Sequence, residues 1–175
     1  FEAGTVYQGI PYGQPIYGQF VPFESDNSTP SVESLQEFLD AVRDPDSLMY
    51  TKVSTYTGIA PYYSSDCSSF VSYAWGLYRH TTSSLPGECT KVSNQSIYSV
   101  QVGDIFNKAG SHTVLVADIG YASDGTIEYI DILQQTPPKV KLTRYGVGGE
   151  ETLATLHETY LGSGYTLYRF NGRNS

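Results

Sequence analysis

One change of pattern restricts the fold of this chain more than any other feature: the hydrophobic period switches from helical to strand-like near Ile97. Before it, Phe70, Val71, Ala74, Trp75 and Tyr78 follow the i, i+3/i+4 spacing of a core helix that starts at or near Cys67. After it, five segments alternate or are β-branched, which predicts strands. They are Asp104-Ile105-Phe106, Thr113-Val114-Leu115-Val116, Thr126-Ile127-Glu128-Tyr129-Ile130, Val140-Lys141-Leu142 and Tyr165-Thr166-Leu167-Tyr168-Arg169-Phe170. Helices followed by a run of strands indicate an α+β class, with helices packed on an antiparallel sheet of about five or six strands.

The N-terminal third is organised differently. Tyr12-Gly13-Gln14-Pro15-Ile16 and Tyr17-Gly18-Gln19-Phe20 repeat a Gly- and Pro-punctuated pattern that cannot sustain a helix, so extended loop is expected there. From Thr29 a helix is predicted: Thr29 can cap, Pro30 suits the first helical position, and Val32, Leu35, Leu39 and Val42 recur until Asp44-Pro45 ends the run. The stretch from Tyr50 to Ser65, rich in Thr, Ser and Tyr and carrying Gly58 and Pro61, reads as irregular chain that delivers the backbone to Asp66. A length of 175 residues suits one domain. With 39% hydrophobic and only 16% charged residues, the chain has the means to build a core.

Several function classes are disfavoured. Lys+Arg 10 against Asp+Glu 18 leaves a formal charge of -8 with no basic cluster, which argues against a nucleic-acid partner. Ser, Thr, Gly or Tyr interrupts every apolar run well before the roughly 18 residues a membrane span needs. The three His and two Cys form no short-spaced ligand pairs, and no phosphate loop is present, so neither a metal nor another cofactor is expected. The chain begins at Phe1 with neither an initiator Met nor a signal-type stretch, so a targeting segment is expected to have been removed.

Reactive chemistry concentrates on Cys67, in Ser65-Asp66-Cys67-Ser68-Ser69 at the head of the expected core helix. Unpaired backbone N–H groups and the helix dipole favour a thiolate there, so Cys67 is expected to titrate below the roughly 8.5 of a free thiol. A small buried core thiol is the plain alternative, and a disulfide with Cys89 is another. Cys89 lies in the loop Leu85-Pro86-Gly87-Glu88-Cys89 and reads as incidental. Among the histidines, His80 follows the far end of the helix, roughly 20 Å from its start at 1.5 Å per residue, and His157 sits in a segment resembling a surface helix. His112, entering a strand after Gly110-Ser111, is the best base on offer.

The set Asp66-Cys67-Ser68-Ser69-Phe70-Val71, Gly103-Asp104-Ile105 and His112-Thr113-Val114-Leu115-Val116 resembles, in order, the motifs of the NlpC-type cell-wall cysteine peptidases. The resemblance covers roughly Asp66 to Gln135. It implies a papain-like fold, Cys67 as nucleophile, His112 as base, a peptidoglycan stem peptide as substrate, and a secreted or wall-associated bacterial protein acting as a monomer. It also implies a polar residue on the strand after the base, which accepts the imidazole N–H and fixes its tautomer. A turn closing from Gly120 to Thr126 puts Gln134 opposite His112, with Gln135 and Asp131 as alternatives.

The family's substrate-site tyrosine, from a Gly-x-Pro-Tyr element, corresponds best to Tyr12 in Gly9-Ile10-Pro11-Tyr12. An insertion at about 14–64 would then separate it from the nucleophile. Tyr62 is the other candidate. Asp66 and Ser68 are carried over as contacts for a substrate amine, although Asp66 also suits a simple N-cap. The backbone N–H of Cys67 is expected in an oxyanion hole. Two further readings share the same motifs: amidase or acyltransferase chemistry on this scaffold, and an inactive wall-binding module.

Overall fold

The computed structural model describes residues 34–47, 65–137 and 139–174. Helix α1, Leu35–Arg43, stops at Asp44-Pro45 as the pattern predicts. Its expected cap at Thr29 and Pro30 lies outside the described residues, as do Tyr12, Tyr62 and most of the expected insertion.

Helix α2, Cys67–Ala74, begins at the cysteine itself. It is shorter than the apolar spacing suggests, because Gly76 adopts φ 71° and turns the chain back. Tyr78 therefore falls beyond the helix and is 73% exposed. The returning chain runs alongside α2, where the His80 backbone N–H donates to Ser72 Oγ at 3.0 Å.

Six strands follow: β1 Cys89–Lys91, β2 Ile105–Lys108, β3 His112–Tyr121, β4 Ile127–Thr136, β5 Lys139–Gly146 and β6 Thr166–Phe170. They form one antiparallel sheet in the order β1-β6-β2-β3-β4-β5. Helix α3, Leu153–Thr159, precedes β6 and is capped by Thr152, whose Oγ1 accepts from the Thr155 N–H at 3.0 Å. Strand β1 has no counterpart in the sequence expectation. Three residues with no buried side chain carry no period, and pairing with β6 alone defines them.

Alternation along the strands divides the interior into two layers. Ile105 and Leu115 face α2 and join Val71 and Leu85. Phe106, Val114, Val116, Ile130, Ile132 and Leu167 face the other way, toward Leu156 of α3 and the adjoining Tyr160. Tyr160 stacks on Phe106 at 5.3 Å and meets Tyr145 and Tyr165 edge-on at 6.4 and 5.2 Å. Aromatic area therefore supplies much of this second layer.

The β3–β4 hairpin closes one residue later on each strand than expected, with Tyr121 opposite Ile127. Two bulges, near Asp118 and Tyr121, shift the register and then restore it. Leu115 therefore stands opposite Leu133, and the continued register sets Val114, not His112, across from Gln134. The expected register is thus two residues out, because it placed a turn of the same length one residue too early in the chain.

Gly103-Asp104 anchors the start of β2. Gly103 holds φ 88°, its N–H donates to the Val116 carbonyl at 2.7 Å, and its own carbonyl accepts from Trp75 Nε1 at 3.1 Å. The fully buried Asp104 carboxylate takes both Nε and Nη2 of Arg169, at 3.0 and 2.9 Å, and the Gln101 N–H at 2.8 Å. A buried carboxylate stripped of its cation is strongly destabilising. Arg169→Met should lower the free energy of unfolding by about 3 kcal/mol, measured by urea denaturation, whereas Asp104→Asn should lower it less because the amide keeps the Gln101 contact.

Candidate functional site

The local sequence explains why the nucleophile candidate occupies a helix start. Asp66 is the N-cap in extended conformation, and its Oδ1 accepts from the Ser69 N–H at 2.9 Å and from Ser69 Oγ at 2.6 Å. Ser69 Oγ in turn accepts from the Asp66 N–H at 2.8 Å, completing a capping box with Ser in the reciprocal position. Ser68 Oγ adds a contact to the same carboxylate oxygen at 3.3 Å. Both Asp66 and Ser68 are buried, and these polar atoms are engaged within the chain.

Cys67 is buried and unbridged. Its sulfur meets the backbone N–H groups of Cys67 and Ser68, the free donors of the first helical turn, and that of Thr113 on β3. Helix α2 packs on both β3 and β4. Among the described residues, β3–β4 pairing ends at Leu115↔Leu133, and the Thr113 N–H turns to the cysteine. The splayed strand ends thus make the site, with the first residue of β3, His112, beside the thiol contact.

His112 Nε2 lies 3.0 Å from Gln134 Oε1. With the amide oxygen as acceptor, Nε2 carries the proton and Nδ1 keeps the lone pair. Gln134 reaches the ring from a position diagonal to His112 across the splay, since both side chains have the same parity and long side chains span such diagonals. The two alternatives are placed elsewhere. Asp131 holds Arg144 through paired contacts of 2.8 and 2.7 Å, and Gln135 is fully buried on the opposite strand face. His80 binds the Tyr78 carbonyl through Nδ1 at 2.7 Å and Glu88 through Nε2 at 3.4 Å, and His157 is exposed on α3.

The expected low thiol pKa is not what the environment produces. Burial pushes the Cys67 thiol above its ordinary value and the Asp66 charge adds to the rise, outweighing the three N–H contacts. Burial likewise lowers His112, against the smaller opposing effects of Gln134 and Asp66. The resting pair is a neutral thiol and a neutral imidazole.

Two residues at the site carry no signal in the sequence reading. Tyr165 has its pKa raised by burial and then by the Cys67 charge, and its hydroxyl meets Ser111 next to His112. Arg79 returns from the Gly76 turn to place Nη2 3.4 Å from Asp66 Oδ2, with its side chain only 4% exposed. The distance estimate that set His80 far from the thiol took no account of this reversal.

Cys89 is half-buried, donates to the Leu85 carbonyl at 3.3 Å, and burial followed by Glu88 pushes its pKa up to about 12. Alkylation by iodoacetamide, followed by mass mapping, should therefore label Cys67 with a pH midpoint above the ordinary thiol value and Cys89 only at still higher pH. A Cys67 midpoint below 8 would contradict this electrostatic picture. Comparison with protein-family models, curated proteins and solved structures yields no match.

Proposed function

We propose that this protein is a cysteine peptidase of the papain-like NlpC type that hydrolyses amide bonds in bacterial peptidoglycan stem peptides, as a secreted or wall-associated enzyme. The observation that carries this reading is the 3.0 Å contact between His112 Nε2 and Gln134 Oε1, beside a cysteine on the first turn of a capped helix. The substrate class rests on the resemblance of the Asp66-Cys67-Ser68, Gly103-Asp104 and His112-Thr113-Val114 set.

In the proposed mechanism His112 Nδ1 takes the thiol proton as the Cys67 sulfur attacks the scissile carbonyl. In this mechanism the backbone N–H of Cys67, which meets the sulfur at rest, turns to the oxyanion as it develops. The imidazolium then gives its proton to the departing amine, and water, deprotonated by the same nitrogen, hydrolyses the thioester. Gln134 holds Nε2–H throughout and prevents the ring from presenting the wrong nitrogen.

Mass analysis of purified peptidoglycan after digestion tests the reading directly. Cys67→Ala should release no stem-peptide fragments while keeping the fold, and turnover by that variant would exclude the mechanism. Gln134→Ala should lower kcat at least about tenfold with a smaller change in KM, because the ring loses tautomer control while substrate contacts remain. Below its own pKa His112 is protonated and cannot act as base. Because burial lowers that pKa, kcat/KM should fall only below the ordinary imidazole value of 6.5 as the solution is acidified.

A further inference from the structure

Asp66 presents a physical conflict at the site. Its carboxylate caps the helix that carries Cys67, yet its negative charge opposes the formation of a thiolate one residue away. An uncharged Asn would cap as well without the conflict, so capping alone does not account for a charge at this position. The chain supplies a compensating charge instead. Arg79, with its side chain 4% exposed, sits 3.4 Å from the Asp66 oxygen Oδ2, while the other oxygen, Oδ1, is engaged by Ser68 and Ser69.

We propose that Arg79 is a positioning residue for the Cys67 reaction, whose guanidinium holds the Asp66 cap in place and balances its charge beside the sulfur. The inference rests on the peptidase reading only in treating Cys67 as the nucleophile. Among the described residues, the charged and titratable groups placed around that sulfur are Asp66 at the cap, His112 on β3, Tyr165 ahead of β6, and Arg79 on the returning segment behind the cap. Arg79 is the permanent cation among them. In a partly dehydrated site its charge is weakly screened, so its removal leaves the Asp66 field to act on the sulfur in full.

The test is the rate–pH profile of iodoacetamide alkylation at Cys67, measured in a Cys89→Ser background with circular dichroism to verify folding. Arg79→Gln should move the midpoint up by about one pH unit, making labelling near pH 7 about tenfold slower, and Arg79→Lys should recover most of the difference. Asp66→Asn keeps a cap and should move the midpoint below the parent's. Asp66→Asn combined with Arg79→Gln should return it near the parent's. The double variant keeps the proposal testable even where Arg79→Gln alone fails to fold, because the comparison then runs between Asp66→Asn and the double variant.

A purely structural Arg79 predicts the parent's midpoint for Arg79→Gln and the midpoint of Asp66→Asn for the double variant, and that result overturns the proposal. Alkylation requires no substrate, which separates the two readings. The expected order of midpoints without any peptidoglycan cleavage by the parent would refute the proposed function and leave the role of Arg79 standing. Cleavage by the parent with superimposable profiles would do the reverse.

Discussion

The Asp66 carboxylate is the interaction on which the rest of the site depends. One oxygen closes the first turn of α2 through Ser69, and the other faces Arg79. An N-cap of this kind contributes about 1 kcal/mol to a helix, which matters for one of eight residues that is too short to persist alone. The same charge acts on Cys67 and His112 alike, raising the thiol and raising the imidazole against its burial. Removing the side chain would release the helix start, and its charge works against the thiolate.

That arrangement favours a neutral thiol and a neutral imidazole. Burial works on the two groups in opposite directions, up for the thiol and down for the ring, and both shifts disfavour a resting ion pair. A neutral amide suits the orienting position in such a site. Gln134 fixes the tautomer through its oxygen and adds no second negative charge beside Asp66, whereas a carboxylate there would raise His112 further and put another like charge near the sulfur.

What the sequence made legible was local or periodic. Capping at Asp66 depends on residues within three positions, and the expected helix starts where the observed one does. The strand segments were readable from alternation, and Gln134 was reachable because parity survives a register error of two. Arg79 was not legible, because its place depends on how Gly76 reverses the chain and no period encodes that. Tyr165 was read only as the start of a strand, since its proximity to Cys67 arises from the way the loop after α3 returns to the sheet. The direction of the thiol pKa was misjudged for a related reason: the helix terminus is a sequence feature, but the burial that outweighs it is tertiary.

The Gly103-Asp104 pair shows how a motif that contacts neither Cys67 nor His112 in its hydrogen bonds still holds the site together. At its C-terminal end α2 is tied to the sheet by Trp75, whose indole donates to the Gly103 carbonyl and whose ring stacks on Phe170 at 4.7 Å. At the N-terminal end the tie is Arg79 on Asp66 together with the Thr113 N–H on the sulfur. A helix of eight residues is about 12 Å long, so restraints at both ends leave it little freedom to tilt or slide. Gly103 meanwhile hydrogen-bonds to Val116 of β3, and Asp104 fixes β6 through Arg169. The same two residues thus hold the distal end of the helix that begins with Cys67 and align the strand that begins with His112. The relative placement of Cys67 and His112 is therefore set by the scaffold as a whole, through hydrogen bonds that neither residue makes itself.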